Sequence, residues 1–271
     1  MAQRLLSLIT IQFFVSERPM LNGFYMSAAG MIMQDRKHEV IANNIANMNT
    51  AGFKKDTLCF QEMLSENAYH NRPATQLNRV ASDIGGGLLL DSTRTSFAQG
   101  SFRNTGSDFN LALKGEGFFK FSDGQKHRYT RCGYLELDAE GYLVSPADPK
   151  LRLMNTNDAP IYVGNSRFKV VRDGTVVLDG APASRIKVAD FADPNRLSKT
   201  GNNMFAAGEG QAEQNAVDYS LVQGYLEQSN ADGISEMVNL IQASRAYETN
   251  ATFIRNQDSA LNAAINTLGR V

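Results

Sequence analysis

From Asn230 to Leu268, apolar residues recur every three or four positions, with polar interruptions at Ser244 and Asp258: Met237, Leu240, Ser244, Tyr247, Ala251, Ile254, Asp258, Leu261, Ile265 and Leu268. This spacing predicts an amphipathic helix with a heptad-like seam. Neither proline nor glycine interrupts it between Gly233 and Gly269. At the α-helical rise, such a helix is roughly 50 Å long, more than an ordinary domain is wide. It needs a long partner, and the comparable stretch lies at the other end of the chain. There Phe24, Ala28, Met31, His38, Ile41, Ile45 and Met48 keep helical spacing, predicting a helix over Leu21–Asn47. Its far end is rich in amides: Asn43, Asn44, Asn47 and Asn49. Asparagine disfavours helix interiors because its side chain competes for backbone hydrogen bonds. The amides therefore read as caps, as donors and acceptors across a packed contact, or as a polar face fraying into a turn. Gly52 is placed to end the helix in the left-handed conformation.

Between the helices the pattern changes. Residues 53–87 are loosely organised, with a short helical piece at Leu58–Leu64 and a breaker at Asp83-Ile84-Gly85-Gly86-Gly87. The doublet Lys54-Lys55 reads as a solvated loop. From Leu88 to Ala207 the period is two, and turn signals such as Arg172-Asp173-Gly174 and Leu178-Asp179-Gly180 separate short apolar runs. Short strands at this cadence predict an antiparallel β domain. Residues 208–218 are polar and read as a linker, and Tyr219–Gln228 as an extended entry to the last helix. The fold class expected is α+β. Long N- and C-terminal helices (20–52 and 230–271) pair as a coiled-coil-like stem, with a connector (53–87), a β domain (88–207) and a return segment (208–229) inserted. The apolar run Leu5–Val15, within an extension at 1–19, is too short to span a bilayer as a helix. It resembles the apolar part of a signal peptide but lacks a small-residue cleavage site. Met20 then opens an amphipathic pattern, so the extension is expected to be disordered or a start-site artefact.

Composition narrows the chemistry. A net charge of -1 gives no field for nucleic acid. Cys59 and Cys132 lie far apart and read as two thiols; His38, His70 and His127 have no second ligand at metal spacing. Gly115-x-Gly117 runs into Phe118-Phe119, a strand rather than the helix a phosphate cradle needs, so it reads as a tight turn. Carboxylates sit mainly at turns. No catalytic, cofactor or metal residue is singled out, and no small-molecule substrate is implied.

Several blocks resemble one family. Ile41-Ala42-Asn43-Asn44-Ile45-Ala46-Asn47 with Thr50-Ala51-Gly52-Phe53-Lys54 is similar to the N-terminal signature of bacterial flagellar rod and hook proteins. Leu111-Ala112-Leu113 through Phe119, Tyr129-Thr130-Arg131 and Leu137–Leu143 resemble the family's central segment; Val222–Asn230, Glu236–Ile241 and Arg245–Glu248 resemble its C-terminal one. The resemblance implies a rod subunit of the basal body, nearest the distal-rod type, with proximal-rod or hook type as the alternative. It also implies export from the cytoplasm through the flagellar type III apparatus without a cleaved signal peptide. Helical polymerisation with copies of itself and with other rod and hook proteins would follow. The implied assembly interface comprises Asn43, Asn44, Ile45, Asn47, Phe53, Met237, Leu240, Ile241, Tyr247, Ile254, Leu261, Ile265 and Leu268. Two other readings stay open on sequence alone: an enzyme carried on the β domain, and a secreted adhesin using residues 1–19 as its signal.

Overall fold

The computed structural model describes residues 18–62, 88–208 and 210–268. The extension through residue 17, most of the connector (63–87) and the last three residues lie outside them. Two long helices, α1 (Arg18–Ala46) and α2 (Gly233–Leu268), accompany many short, mainly antiparallel strands, which makes the protein α+β. The chain divides into two compact units. One takes residues 1–43, 57–94 and 234–271; the other takes 44–56 and 95–233.

In the first unit, the segment expected to be a short helix is instead the strand Asp56–Glu62, which pairs with Leu88–Thr95. The reason is local. Thr57, Cys59 and Phe60 favour a pleated surface, and a segment this short cannot repay helix nucleation. Thr57 Oγ1 also donates to Arg94 O at 3.2 Å across the pair.

The second unit is built on the strand Phe118–Ser122, buried on both faces. It pairs antiparallel with His127–Thr130, with Asp148–Leu153 and, through Phe118 and Phe119, with Val188–Asp190. Side chains alternate across it. Phe119 and Phe121 enter a core with Leu113, Leu143, Leu153, Ile186 and Val188, while Phe118 joins Tyr129, Phe191 and Phe205 in an aromatic one. A three-stranded sheet, Phe168–Val170, Thr175–Leu178 and Ala181–Arg185, adjoins the first core. Its second turn is the two-residue Asp179-Gly180, both at positive φ (49° and 90°), the conformation a tight hairpin demands. Gly115 and Gly117 likewise have φ of 100° and 110°, as expected of a β turn.

The return segment expected at 208–229 is woven into this unit. Tyr219–Gln223 pairs antiparallel with Leu111–Gly115, and Tyr225–Glu227 with Phe102–Asn104. Leu221 is fully buried there, so the segment completes the core. The polar stretch before it is anchored by charge. Glu213 accepts hydrogen bonds from Tyr129 OH (2.7 Å) and pairs with Lys120 and Lys187 (2.9 Å each); both lysines also reach Asp158. Burial pushes Glu213 up, but the hydrogen bonds from Lys120, Lys187 and Tyr129 outweigh it and hold the carboxylate below its ordinary 4.5. Asp158 is likewise held below 3.8, its lysine bonds outweighing burial. Depressed carboxylates contribute stability that is complete above their unfolded values and lost as pH falls through the folded ones. The amides of Gln214 and Asn215, on the strand paired with Asp190 and Ala189, are therefore expected to lose protection relative to their intrinsic exchange rates as pH drops below 3.8. Hydrogen exchange across an acid titration checks this.

Gly52, expected to stop α1, lies six residues beyond its end at Ala46 and instead closes the turn that follows, with φ 69°; a Cβ there would sit 2.4 Å from the Cys132 backbone nitrogen. Gly52→Ala is expected to lower stability by about 2–4 kcal/mol, read from the denaturant midpoint.

Candidate assembly surface

The two helices meet through small and polar groups. A Cβ on Gly23 would lie 2.8 Å from Gln257 Nε2, and one on Gly30 2.9 Å from Asn250 Nδ2. His38 Nε2 lies 3.2 Å from Ser244 Oγ, so His38 is a contact histidine. Glycines seven apart on α1 thus receive amides seven apart on α2. The carbonyl oxygens of Gln34 and Gln257 are buried without hydrogen-bond partners, each costing on the order of 1–3 kcal/mol. Such a contact draws little on the apolar side chains. Met33, Ile41 and Ala243 are buried, and Leu240, Ile254 and Leu261 half-buried.

Much of the remaining apolar surface of α2 faces outward. Ile234, Met237, Val238 and Ile241 are exposed, Ile234 at 77% and Ile241 at 54%. Their spacing of three, four and seven places them on one stripe. Tyr247, Phe253 and Ile265 are exposed further along, as are Phe24, Met26 and Ile32 on α1. The sequence seam sets Met237 beside Leu240; the structure separates them, because Glu236 and Ala243 occupy the inner face and turn Met237 out. Leu268 is the final helical residue.

The amide cluster also divides. Asn44 Nδ2 donates to Asp56 O (2.9 Å) and its Oδ1 accepts from Asp56 N (3.0 Å). The amide thereby acts as a strand partner for the chain leaving α1. Asn47 Oδ1 accepts from Thr50 Oγ1 at 3.3 Å. Asn43 is exposed and Ile45 half-buried. Phe53 is buried beneath Lys199, whose Nζ lies 4.9 Å from the ring centroid.

A charge clamp sits at the root of α2. Lys54, expected in a solvated loop, is buried, its Nζ 2.6 Å from Glu227 Oε1 with both side chains fully enclosed. Lys54 Nζ also donates to Ala98 O (2.8 Å), Gly100 N donates to Glu227 Oε1 (2.9 Å), and Gly52 N donates to Glu227 O (2.8 Å). Arg131 lies 3.7 Å from the second Glu227 oxygen. Burial lowers the pKa of Lys54, with Glu227 opposing it. Next in the chain, Asn230 takes Lys55 N as donor and gives its own amide protons to Ser96 O and Ala98 O. That fixture explains why α2 begins at Gly233 rather than Asn230. Only the basic doublet marked this clamp in sequence, and a doublet does not distinguish a buried lysine from a solvated one.

A long helix with a bare apolar stripe, next in the chain to a β unit, presents a surface suited to association. Among the described residues no metal-ligand cluster occurs, and no helix is long and apolar enough to cross a membrane. Three family descriptions match: "Flagella basal body rod protein" over 24–54, "Flagellar hook protein FlgE/F/G D1 domain" over 112–178, and "Flagellar basal body rod FlgEFG protein C-terminal" over 222–267. The flagellar basal-body rod protein FlgG of Borreliella burgdorferi is 33% identical, the match covering 91% of this chain and 98% of that protein. FlgG of Bacillus subtilis is 30% identical over 91% and 99% of the two chains, and FlgF of Caulobacter vibrioides 31% over 92% and 99%. The chain belongs to the flagellar basal-body rod family. It is a flagellar structural protein and not an enzyme, which sets aside the β-domain enzyme.

Proposed function

We propose that this chain is an axial subunit of the rod, nearest the distal type, which polymerises helically through its terminal helices into a drive shaft and export conduit. Proximal-rod or hook type is the alternative; the Gln223–Asn230 block leans toward the distal one. In this reading α1 and α2 form the stem, coiled-coil-like along their length, and the β unit is the inserted domain. Copies of the same chain and other rod and hook proteins are its neighbours. It reaches them through the type III export apparatus without a cleaved signal, and takes no nucleic acid, small-molecule substrate or cofactor. Asn43, Asn44, Ile45, Asn47 and Phe53 shape the root of α1. Met237, Ile241, Tyr247 and Ile265 form the outer assembly face, while Leu240, Ile254, Leu261 and Leu268 serve the stem.

One observation carries the reading: the stripe Ile234–Met237–Val238–Ile241 is exposed on a helix whose contact with α1 uses glycine and amides. A stripe like this remains to be covered by other chains. Cryo-electron images of isolated basal bodies test it. Rod density that takes α2 of each copy against neighbouring copies is expected; rods fully assembled in cells lacking this chain would overturn it.

A further inference from the structure

The second unit carries a groove of about 610 Å³ along the strand Tyr219–Gln223. Three cations line it: Lys114, Lys169 and Arg172, all exposed. Asp108 is the single carboxylate in its wall, and none of the three cations forms an ion pair among the described residues. The floor is firm. Gln223 accepts from Val170 N (3.0 Å) and donates to Asp108 O (2.8 Å) and Phe168 O (3.3 Å), while Leu221 N bonds Arg172 O at 2.9 Å. Three like charges gathered over a fixed floor give a local positive field with no internal answer.

The same unit carries the complementary charge elsewhere. The hairpin after Glu136–Leu137, at the end of the large sheet, carries Glu136, Asp138 and Glu140, and the last two hold one guanidinium, Arg152, at 3.1 and 2.9 Å. Glu136 and Glu140 are exposed. Asp138 fixes the turn, its backbone N–H donating to Tyr142 O (2.9 Å) and its carboxylate accepting from Tyr142 N (2.7 Å). Three cations against one carboxylate face three carboxylates against one cation. We propose that the acidic hairpin of one copy docks in the basic groove of the next, so that β units associate with one another. Groove and hairpin are different patches, so the contact is head-to-tail and propagates as an open array. Complementary potential of this kind selects partner and register. The inference rests on the reading of the chain as an assembling subunit.

Charge reversal tests it in cells whose own copy has been removed. K114E/K169E/R172E makes both patches acidic, and E136K/E140K makes both basic. Either alone is expected to abolish swimming. Combining them in one chain, or expressing the two chains together, restores opposite charge at every contact and is expected to restore swimming. Normal swimming by either reversed chain alone overturns the proposal. So does failure of the combined chain when circular dichroism shows it folded, since the groove then meets a different component. The variant Ile241→Asp runs in parallel. If it assembles normally, the helix-borne reading fails; if it does not and the reversed chains do, only the groove contact fails.

Discussion

Replacing Glu227 with leucine is expected to destabilise the β unit by about 3–5 kcal/mol, because it strands a buried lysine without its partner. Lys54 and Glu227 have no measurable side-chain exposure. Desolvating both is already costly, and the pair is tolerated only because Ala98 O and Gly100 N add hydrogen bonds to the ions. Removing Glu227 leaves both Lys54 and Arg131 as buried cations. Removing Lys54 leaves Glu227 near Arg131, 3.7 Å away. The ranking follows: Glu227→Leu costs more than Lys54→Met, and the double substitution costs less than the two combined. Urea unfolding followed by far-ultraviolet circular dichroism measures all three. Equal losses in the two single variants would overturn the ranking, and strict additivity would show that the pair is not coupled.

Introducing a carboxylate at Met237 or Ile241 is expected to abolish assembly while leaving the chain folded. Both side chains are exposed, so a charge there is solvated in the lone subunit and costs it little. Covered by a neighbour, each aliphatic side chain contributes roughly 1.5–3 kcal/mol, and a carboxylate in its place adds a desolvation penalty of several kcal/mol. Repeated at every contact of a polymer, that is decisive. Ala243→Asp is the contrasting variant. Ala243 is buried inside the chain, so that change should lower the melting temperature as well as assembly. Hook-basal bodies counted by electron microscopy, set beside thermal melts, separate the two. Assembly by Ile241→Asp at parental levels would exclude the stripe from the interface.

Much of this was legible in the residues. Period-two runs and Asp-Gly turns located most strands, because hairpin turns demand positive φ and few residues supply it. Helical spacing located α1 and α2. What stayed hidden was mostly tertiary. The strand Asp56–Glu62 needs Leu88–Thr95 to exist, a partner well removed in the chain. Tyr219–Gln223 reads as an extended entry to α2 and becomes a strand only because Leu111–Gly115 offers it an edge. The seam misplaces the first turn of α2, because Glu236, a charged residue, lies inward while Met237 lies outward. No spacing rule anticipates that inversion; it follows from what the neighbouring element can accept.

The clamp joins residues 173 positions apart, and this separation bears on how fast and in what order the molecule takes shape. Closing so wide a loop is entropically expensive, and distant pairings are made slowly. A chain emerging from its N-terminus keeps Lys54 waiting until nearly all of it has arrived. The β unit is therefore sealed late, once most of the chain has been made.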